Sequence, residues 1–135
     1  MGVPAELRYS PDHEWIRLDG LTATIGITEY AQDALGDIVF VQKPKIGLVV
    51  SAGATVTEVE STKSVSDIYA PVSGTVTRFN DDLENSPELI NTDPYGRGWL
   101  CTIELAPKGI GTSEPIGSGF DELLDAAAYD ALIGG

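Results

Sequence analysis

The order of apolar and polar positions predicts mostly short strands over the first hundred residues. Leu7 and Tyr9 lead into Trp15, Ile16 and Leu18, which mark a strand from about Glu14 to Leu18. Thr22 to Ile27 returns as a second strand, and Asp19-Gly20 between them is a strong hairpin signal. Gly26 inside that strand predicts a bulge or a close backbone approach. The period then changes. Tyr30, Ala31, Ala34 and Leu35 share one face of a short helix from Glu29 to Leu35, with Thr28 as its N-cap, Glu29 at its positive end and Gly36 just past its C-terminus. Ile38-Val39-Phe40-Val41 is an apolar run read as a well-buried strand, stopped by Lys43-Pro44-Lys45. Ile46 to Val50 and Ala54 to Val59 are β-prone and separated by the turn Ser51-Ala52-Gly53.

Beyond a second turn at Ala70-Pro71-Val72-Ser73-Gly74, Thr75 to Phe79 alternates as a strand does. Asn80 to Pro94 is polar and turn-rich, with one helical turn near Leu83 and with Leu89-Ile90 dipping into the core. Trp99 to Leu105 is the last clear strand, placing Trp99 and Cys101 on one face and Leu100 on the other. Residues 106–119 read as a loop whose glycines match no dinucleotide fingerprint, since no βα unit surrounds them. From Phe120 the pattern turns helical through Leu123, Leu124, Ala127, Ala131 and Leu132. Ser118 is placed to cap a first helix and Asp125 a second, running to about Ile133. Hairpin connections predominate, so the fold class is mainly β. A single domain over residues 1–135 is expected, with a core at about 9–105 in two packed antiparallel sheets, a sandwich or a flattened barrel.

Composition narrows the possible partners. A chain of 135 residues with 42% hydrophobic content suits one modest core. No apolar run approaches the ~20 residues that span a bilayer. The opening Met1-Gly2-Val3-Pro4-Ala5-Glu6 shows no secretory signal, and Glu6 stands where a myristoylation site needs Ser or Thr. The net charge of −13 repels nucleic acid and anionic lipid while serving solubility and favouring basic partners. Cys101 is the single cysteine and His13 the single histidine, so neither an intrachain disulfide nor a zinc site is expected. A monomer in a prokaryotic cytoplasm is the expectation, or the mitochondrial matrix for a processed form.

Candidate chemistry is sparse. Asp12, His13 and Glu14 adjoin at a strand entry, but no second histidine gives metal spacing, and they read better as polar residues exposed where a strand begins than as a catalytic or metal site. No Gly-x-Ser-x-Gly elbow occurs, and Cys101 sits in a predicted strand, where thiols are usually inert. No catalytic residue is therefore assigned. Lys63 is set differently, between two β-prone runs and among Ser61, Thr62, Ser64 and Ser66. Glu60 and Asp67, three residues before it and four after, are placed to hold its ammonium or to guide a modifying enzyme. The residues alone read more simply as an ordinary surface lysine in a turn. No Gly, Asn or Asp lies between Ser61 and Ser66 to take a left-handed conformation cheaply, so the turn type stays open.

The segment from Val59 through Ser61-Thr62-Lys63-Ser64 to Ala70-Pro71-Val72-Ser73-Gly74 resembles the lipoylation site of the H proteins of the glycine cleavage system. Asp12-His13-Glu14-Trp15, Gly26-Ile27-Thr28-Glu29-Tyr30-Ala31 with its continuation to Val41, Pro87-Glu88-Leu89-Ile90-Asn91 and Asp93-Pro94-Tyr95-Gly96-Arg97-Gly98-Trp99-Leu100 resemble further motifs of that family in order. So does Leu123-Leu124-Asp125-Ala126 with Tyr129, and coverage runs from about Tyr9 to Leu132. Two stretches depart from the pattern: Lys43 to Val50 is more basic and apolar than usual, and the loop from Lys108 to Gly119 is longer.

The resemblance implies a fold of the lipoyl–biotinyl carrier type with added helices, and lipoate joined by an amide to Lys63. It implies that Glu60 and Asp67 are read by a lipoate ligase or a lipoyl or octanoyl transferase. It also implies a carrier without turnover of its own. That carrier would take an aminomethyl group from a pyridoxal-phosphate glycine decarboxylase, yield it to a tetrahydrofolate-dependent aminomethyltransferase, and be reoxidised by dihydrolipoamide dehydrogenase. A tether suits such traffic because it raises effective concentration. On this reading Asp12, His13, Glu14 and Asp67 form a berth for the loaded arm. A lipoyl-relay carrier serving lipoate assembly is the alternative. Thr62-Lys63-Ser64 differs from the Asp-Lys-Ala of 2-oxo acid dehydrogenase domains and the Met-Lys-Met of biotin carriers.

Overall fold

The protein is described by a computed structural model over residues 4–105 and 123–134. Asp19-Gly20 reverses the chain as its sequence demands, with Gly20 in the left-handed conformation at φ 62°. This joins β2 (Glu14–Asp19) to β3 (Thr22–Ile27) as an antiparallel hairpin. β1 (Arg8–Tyr9) pairs with β2, and β9 (Cys101–Glu104) pairs with the other side of β3. β8 (Gly74–Phe79) and β5 (Val49–Val50) complete a six-stranded sheet in the order β1-β2-β3-β9-β8-β5. β4 (Ile38–Val41), β6 (Thr55–Ser61) and β7 (Val65–Tyr69) form a second sheet in the order β4-β6-β7. Every pairing is antiparallel, and the result is an unclosed sandwich rather than a barrel.

The facing sides of the two sheets share one core, with Ile16, Ile25, Val76 and Ile103 from the larger and Val41, Val59 and Ile68 from the smaller. Burying each such side chain contributes roughly 1.5–3 kcal/mol. Because neighbouring strand residues point to opposite faces, Trp15 leaves this core and joins Leu7, Tyr9 and Tyr129 in a second cluster. That cluster lies under α4 (Ala126–Leu132), whose N-cap Asp125 accepts a hydrogen bond from the Ala128 amide at 2.8 Å. Residues 120–122, the cap Ser118 and the loop 106–119 lie outside the described residues. Leu123 and Leu124, expected in the first C-terminal helix, are not helical: Leu124 bridges Tyr9, each amide donating to the other's carbonyl.

Helix α1 (Glu29–Leu35) forms as its caps predict: Thr28 Oγ1 accepts from the Ala31 amide, and the Gly36 amide donates to Gln32 O. Its expected buried face is only partly realised. Ala31 and Leu35 pack against the core, whereas Tyr30 and Ala34 are exposed because two helical turns lie across the rim of the sandwich. Val39 and Phe40 are also half exposed, against the expectation of a buried strand. β4 is an edge strand with a bulge between Ile38 and Phe40, and the outer face of this small sheet meets solvent. Ile46 to Leu48, expected as strand, is not: only Val49 and Val50 pair. Two short helices, α2 (Asp82–Asn85) and α3 (Leu89–Thr92), drop Leu83 and Ile90 into the core. Trp99 precedes the regular strand and packs on the Trp15 cluster, while Leu100 and Cys101 both enter the main core. The simple alternation expected for that segment does not hold.

Candidate functional site

Lys63 stands exposed at the tip of the β6–β7 hairpin. The turn needs no left-handed residue, because the Ser61 hydroxyl acts in place of backbone twist. It accepts from the amides of Lys63 and Ser64, each at 3.1 Å, and the Ser61 amide donates to Ser64 O at 2.8 Å. Among the described residues, His13 is the one non-glycine with positive φ. The turn is also tied to the body of the protein: the Thr62 amide donates to Asp37 O at 3.0 Å. Beside that tie the Lys63 stem lies over Gly36, whose added Cβ would stand 3.1 Å from Lys63 Cε.

Glu60 and Asp67 do not hold the ammonium. Among the described residues Lys63 has no ion pair, since the salt bridges present join Lys43 to Asp81 and Glu84. Glu60 instead pairs in register with Val65, and Asp67 with Glu58, placing two carboxylates directly across the strands. Like charges facing each other as Glu58 and Asp67 do repel, a cost that a cationic partner at the exposed Asp67 would relieve.

The residues around Glu14 form a different feature, an open cleft of about 240 Å³ lined in part by Ser10, Pro11, Asp12, Glu14, Ala70 and Leu123. The Glu14 carboxyl is only 2% exposed. It accepts from Ser10 Oγ at 2.6 Å and from the Tyr69 amide at 3.3 Å, while Ser10 Oγ accepts from the Glu14 amide. Burial pushes this carboxyl up to about 7, against the pull of those two hydrogen bonds and with a small push from Asp12. Asp12 and Glu14 thus meet at the cleft, but His13 and Asp67 do not line it. His13 takes φ 73° and sends its ring the other way, where Nδ1 lies 2.8 Å from the Tyr129 hydroxyl. Burial lowers the His13 pKa, opposed by Asp12. The hairpin links the cleft to the lysine: Tyr69 is six residues beyond Lys63, roughly 20 Å along an extended strand.

Burial pushes the Cys101 thiol up to about 12, leaving it a core residue. Among the described residues there is no group of three His, Cys, Asp or Glu placed to hold a metal ion, and no helix is long and apolar enough to cross a membrane. Sequence reading missed Tyr129, the Tyr69 amide and the Ser61 hydroxyl. Of these only Ser61, two residues before the lysine in a turn without glycine, carried a local signal.

The fold is an unclosed antiparallel sandwich that presents an exposed lysine at a hairpin tip, a layout suited to a carrier domain. The glycine cleavage H-protein family model matches residues 7–131. The chain is 50% identical over 135 residues to the glycine cleavage system H protein of Beutenbergia cavernae, covering all of this chain and 99% of that one. It is 54% identical over 128 residues to that of Mycobacterium tuberculosis, covering 94% and 93%. The crystal structure of a glycine cleavage system H protein from Mycobacterium marinum superposes with a TM-score of 0.83 at 42% identity, covering 98% of this chain and 100% of that one. The chain belongs to the glycine cleavage H-protein family, and its role is that of the lipoyl-carrying shuttle of glycine cleavage.

Proposed function

We propose that Lys63 Nζ carries lipoate in amide linkage and that the protein has no catalytic turnover of its own. The observation that carries this reading is the hairpin tip: an exposed lysine, clamped through the backbone on both sides, with its ammonium in no ion pair among the described residues. Such an amine fits acylation, since no carboxylate among the described residues pairs with it and the backbone that carries it is anchored. Once attached, the group supplies a disulfide-forming sulfur pair that takes up and releases an aminomethyl unit. The traffic then runs from a pyridoxal-phosphate glycine decarboxylase to a tetrahydrofolate-dependent aminomethyltransferase and on to dihydrolipoamide dehydrogenase. Glu60 and Asp67, free of the lysine, are available to the lipoate ligase or transferase that reads the tip.

The Glu14 cleft is the berth for the loaded arm. A carboxyl held near neutrality by burial gains most from a cation brought beside it, because the ammonium restores its charged form. Asp12 adds negative potential at the cleft wall. Of the expected group, Asp12 and Glu14 line this cleft and His13 and Asp67 do not. The test is intact mass and peptide mapping of protein made with lipoate and the attaching enzyme. One lipoyl addition on the Lys63 peptide is expected and none on Lys63→Arg; addition to that variant overturns the assignment. For the berth, ammonia release from the loaded Glu14→Ala protein is expected to quicken, and an unchanged rate removes it.

A further inference from the structure

Three groups surrounding the lysine turn belong to residues that the lysine segment does not contain. The Thr62 amide is held by Asp37 O, and Asp37 lies between Gly36 and Ile38. Asn91, on α3, grips both of those neighbours. Its Nδ2 donates to Gly36 O at 2.9 Å and to Gln32 Oε1 at 2.8 Å, and its Oδ1 accepts from the Ile38 amide at 2.9 Å. A primary amide has two N–H donors and one carbonyl oxygen, and here all of them are engaged. Gly36 takes φ 86°, open to glycine at no cost, and its missing side chain leaves the space that the Lys63 stem occupies.

We infer that Asn91 is a positioning residue for Lys63. By clamping the chain on either side of Asp37 it fixes a backbone shelf. The shelf seats the turn through Thr62 and the lysine stem over Gly36, so it sets the direction in which the amine leaves the hairpin. The inference rests on Lys63 being the attachment point. The clamp comes from a helix whose Ile90 is fully buried in the core, which makes the shelf rigid where the turn itself is exposed. An enzyme that must meet a lysine amine in line depends on such placement, since small displacements of a reacting group cost much of its rate. Asn91→Asp keeps the acceptor for the Ile38 amide but turns a carboxylate oxygen toward Gly36 O, a carbonyl with no proton to offer, while the Gln32 amide can turn its Nε2 to donate.

The experiment compares Asn91→Asp with wild type and with Val76→Ala, a core variant on β8 away from the shelf. Lipoylation kinetics, thermal midpoint and site-resolved amide exchange are read for each. For Asn91→Asp, kcat/KM for lipoylation of Lys63 is expected to fall on the order of tenfold. Exchange of the Thr62 amide is expected to quicken about tenfold while the β2–β3 amides hold their protection. Val76→Ala is expected to lose at least as much thermal stability and to be lipoylated at the wild-type rate. Wild-type kinetics in Asn91→Asp, or an equal loss in Val76→Ala, overturns the inference. If Asn91→Asp does not fold, Gln32→Ala, which removes one of the three bonds, is read by the same criteria. If wild type takes no lipoate at Lys63, the attachment reading fails. The shelf is then judged by the Thr62 exchange and by acylation of Lys63 relative to Lys45 with a small amine-reactive ester.

Discussion

Tyr129 bonds His13 across 116 positions of sequence, hydroxyl to Nδ1, at 2.8 Å. The same hydroxyl lies 2.8 Å from Thr28 Oγ1, the N-cap of α1, and its ring stacks on Tyr9 with centroids 4.8 Å apart. One side chain of the C-terminal helix therefore joins the Ser10–Glu14 turn, the start of α1 and β1. It also braces His13 in a backbone conformation that costs a non-glycine residue free energy.

Tyr129→Phe keeps the stacked ring and removes both hydrogen bonds, leaving His13 and the fully buried Thr28 short of a partner. A loss of about 1–3 kcal/mol in unfolding free energy is expected. Urea denaturation measures it, and an unchanged midpoint would show that the hydroxyl contributes nothing net.

Glu14 gives stability a specific pH dependence. Its folded pKa, pushed up to about 7 by burial, stands above its ordinary value of 4.5. The native state therefore binds the proton more tightly than the unfolded chain does. Its contribution is complete below pH 4.5 and is lost as pH rises through 7, by no more than roughly 3 kcal/mol. Glu14→Gln removes this slope, so the stability difference between variant and wild type should shift toward the variant from pH 4.5 to 8. The slope is the readout, because Gln also alters the hydrogen bonds to Ser10 and Tyr69. Parallel curves would contradict the raised pKa.

Gly26 is expected to tolerate no side chain. Trp15 faces it in register, and a Cβ there would stand 2.6 Å from the indole. The indole cannot withdraw freely, since Nε1 donates to Pro94 O at 2.9 Å and Arg17 lies over the ring at 5.1 Å. Gly26→Ala should cost about 1–3 kcal/mol as an overpacked site. Thermal unfolding followed by tryptophan fluorescence tests this, and a wild-type midpoint would mean the ring moves aside.

Ser61→Ala separates local order from stability. The two amides it releases are exposed, so water replaces the hydroxyl and the global cost should stay under about 1 kcal/mol. Exchange at the Lys63 and Ser64 amides should nevertheless quicken. Unchanged exchange at both positions would show that the turn stands without the hydroxyl.

Local chemistry made much of the fold legible. Asp19-Gly20, the Thr28 and Gly36 caps of α1 and the Asp125 cap of α4 act through atoms within a few residues, and each forms as expected. Burial was harder to read. Ile38 to Val41 looked buried because the run is apolar, yet Val39 and Phe40 meet solvent, since whether a strand lies at an edge depends on what pairs beside it. The site divided the same way. Lys63 stood out by its neighbours, whereas of the expected group of Asp12, His13, Glu14 and Asp67 only Asp12 and Glu14 line the cleft, because the backbone turned the His13 ring toward Tyr129.

The sequence by itself determined the hairpins, the caps, the acidic surface and the segment that offers Lys63, because turn chemistry and strand periodicity are properties of adjacent residues. Only the tertiary structure decided the depth of Glu14, the bond from Tyr129 to His13 and the grip of Asn91 on the shelf beneath the lysine. Those depend on groups brought together across 55 to 116 positions of chain, and desolvation or a shared hydrogen bond exists only once the layers have packed.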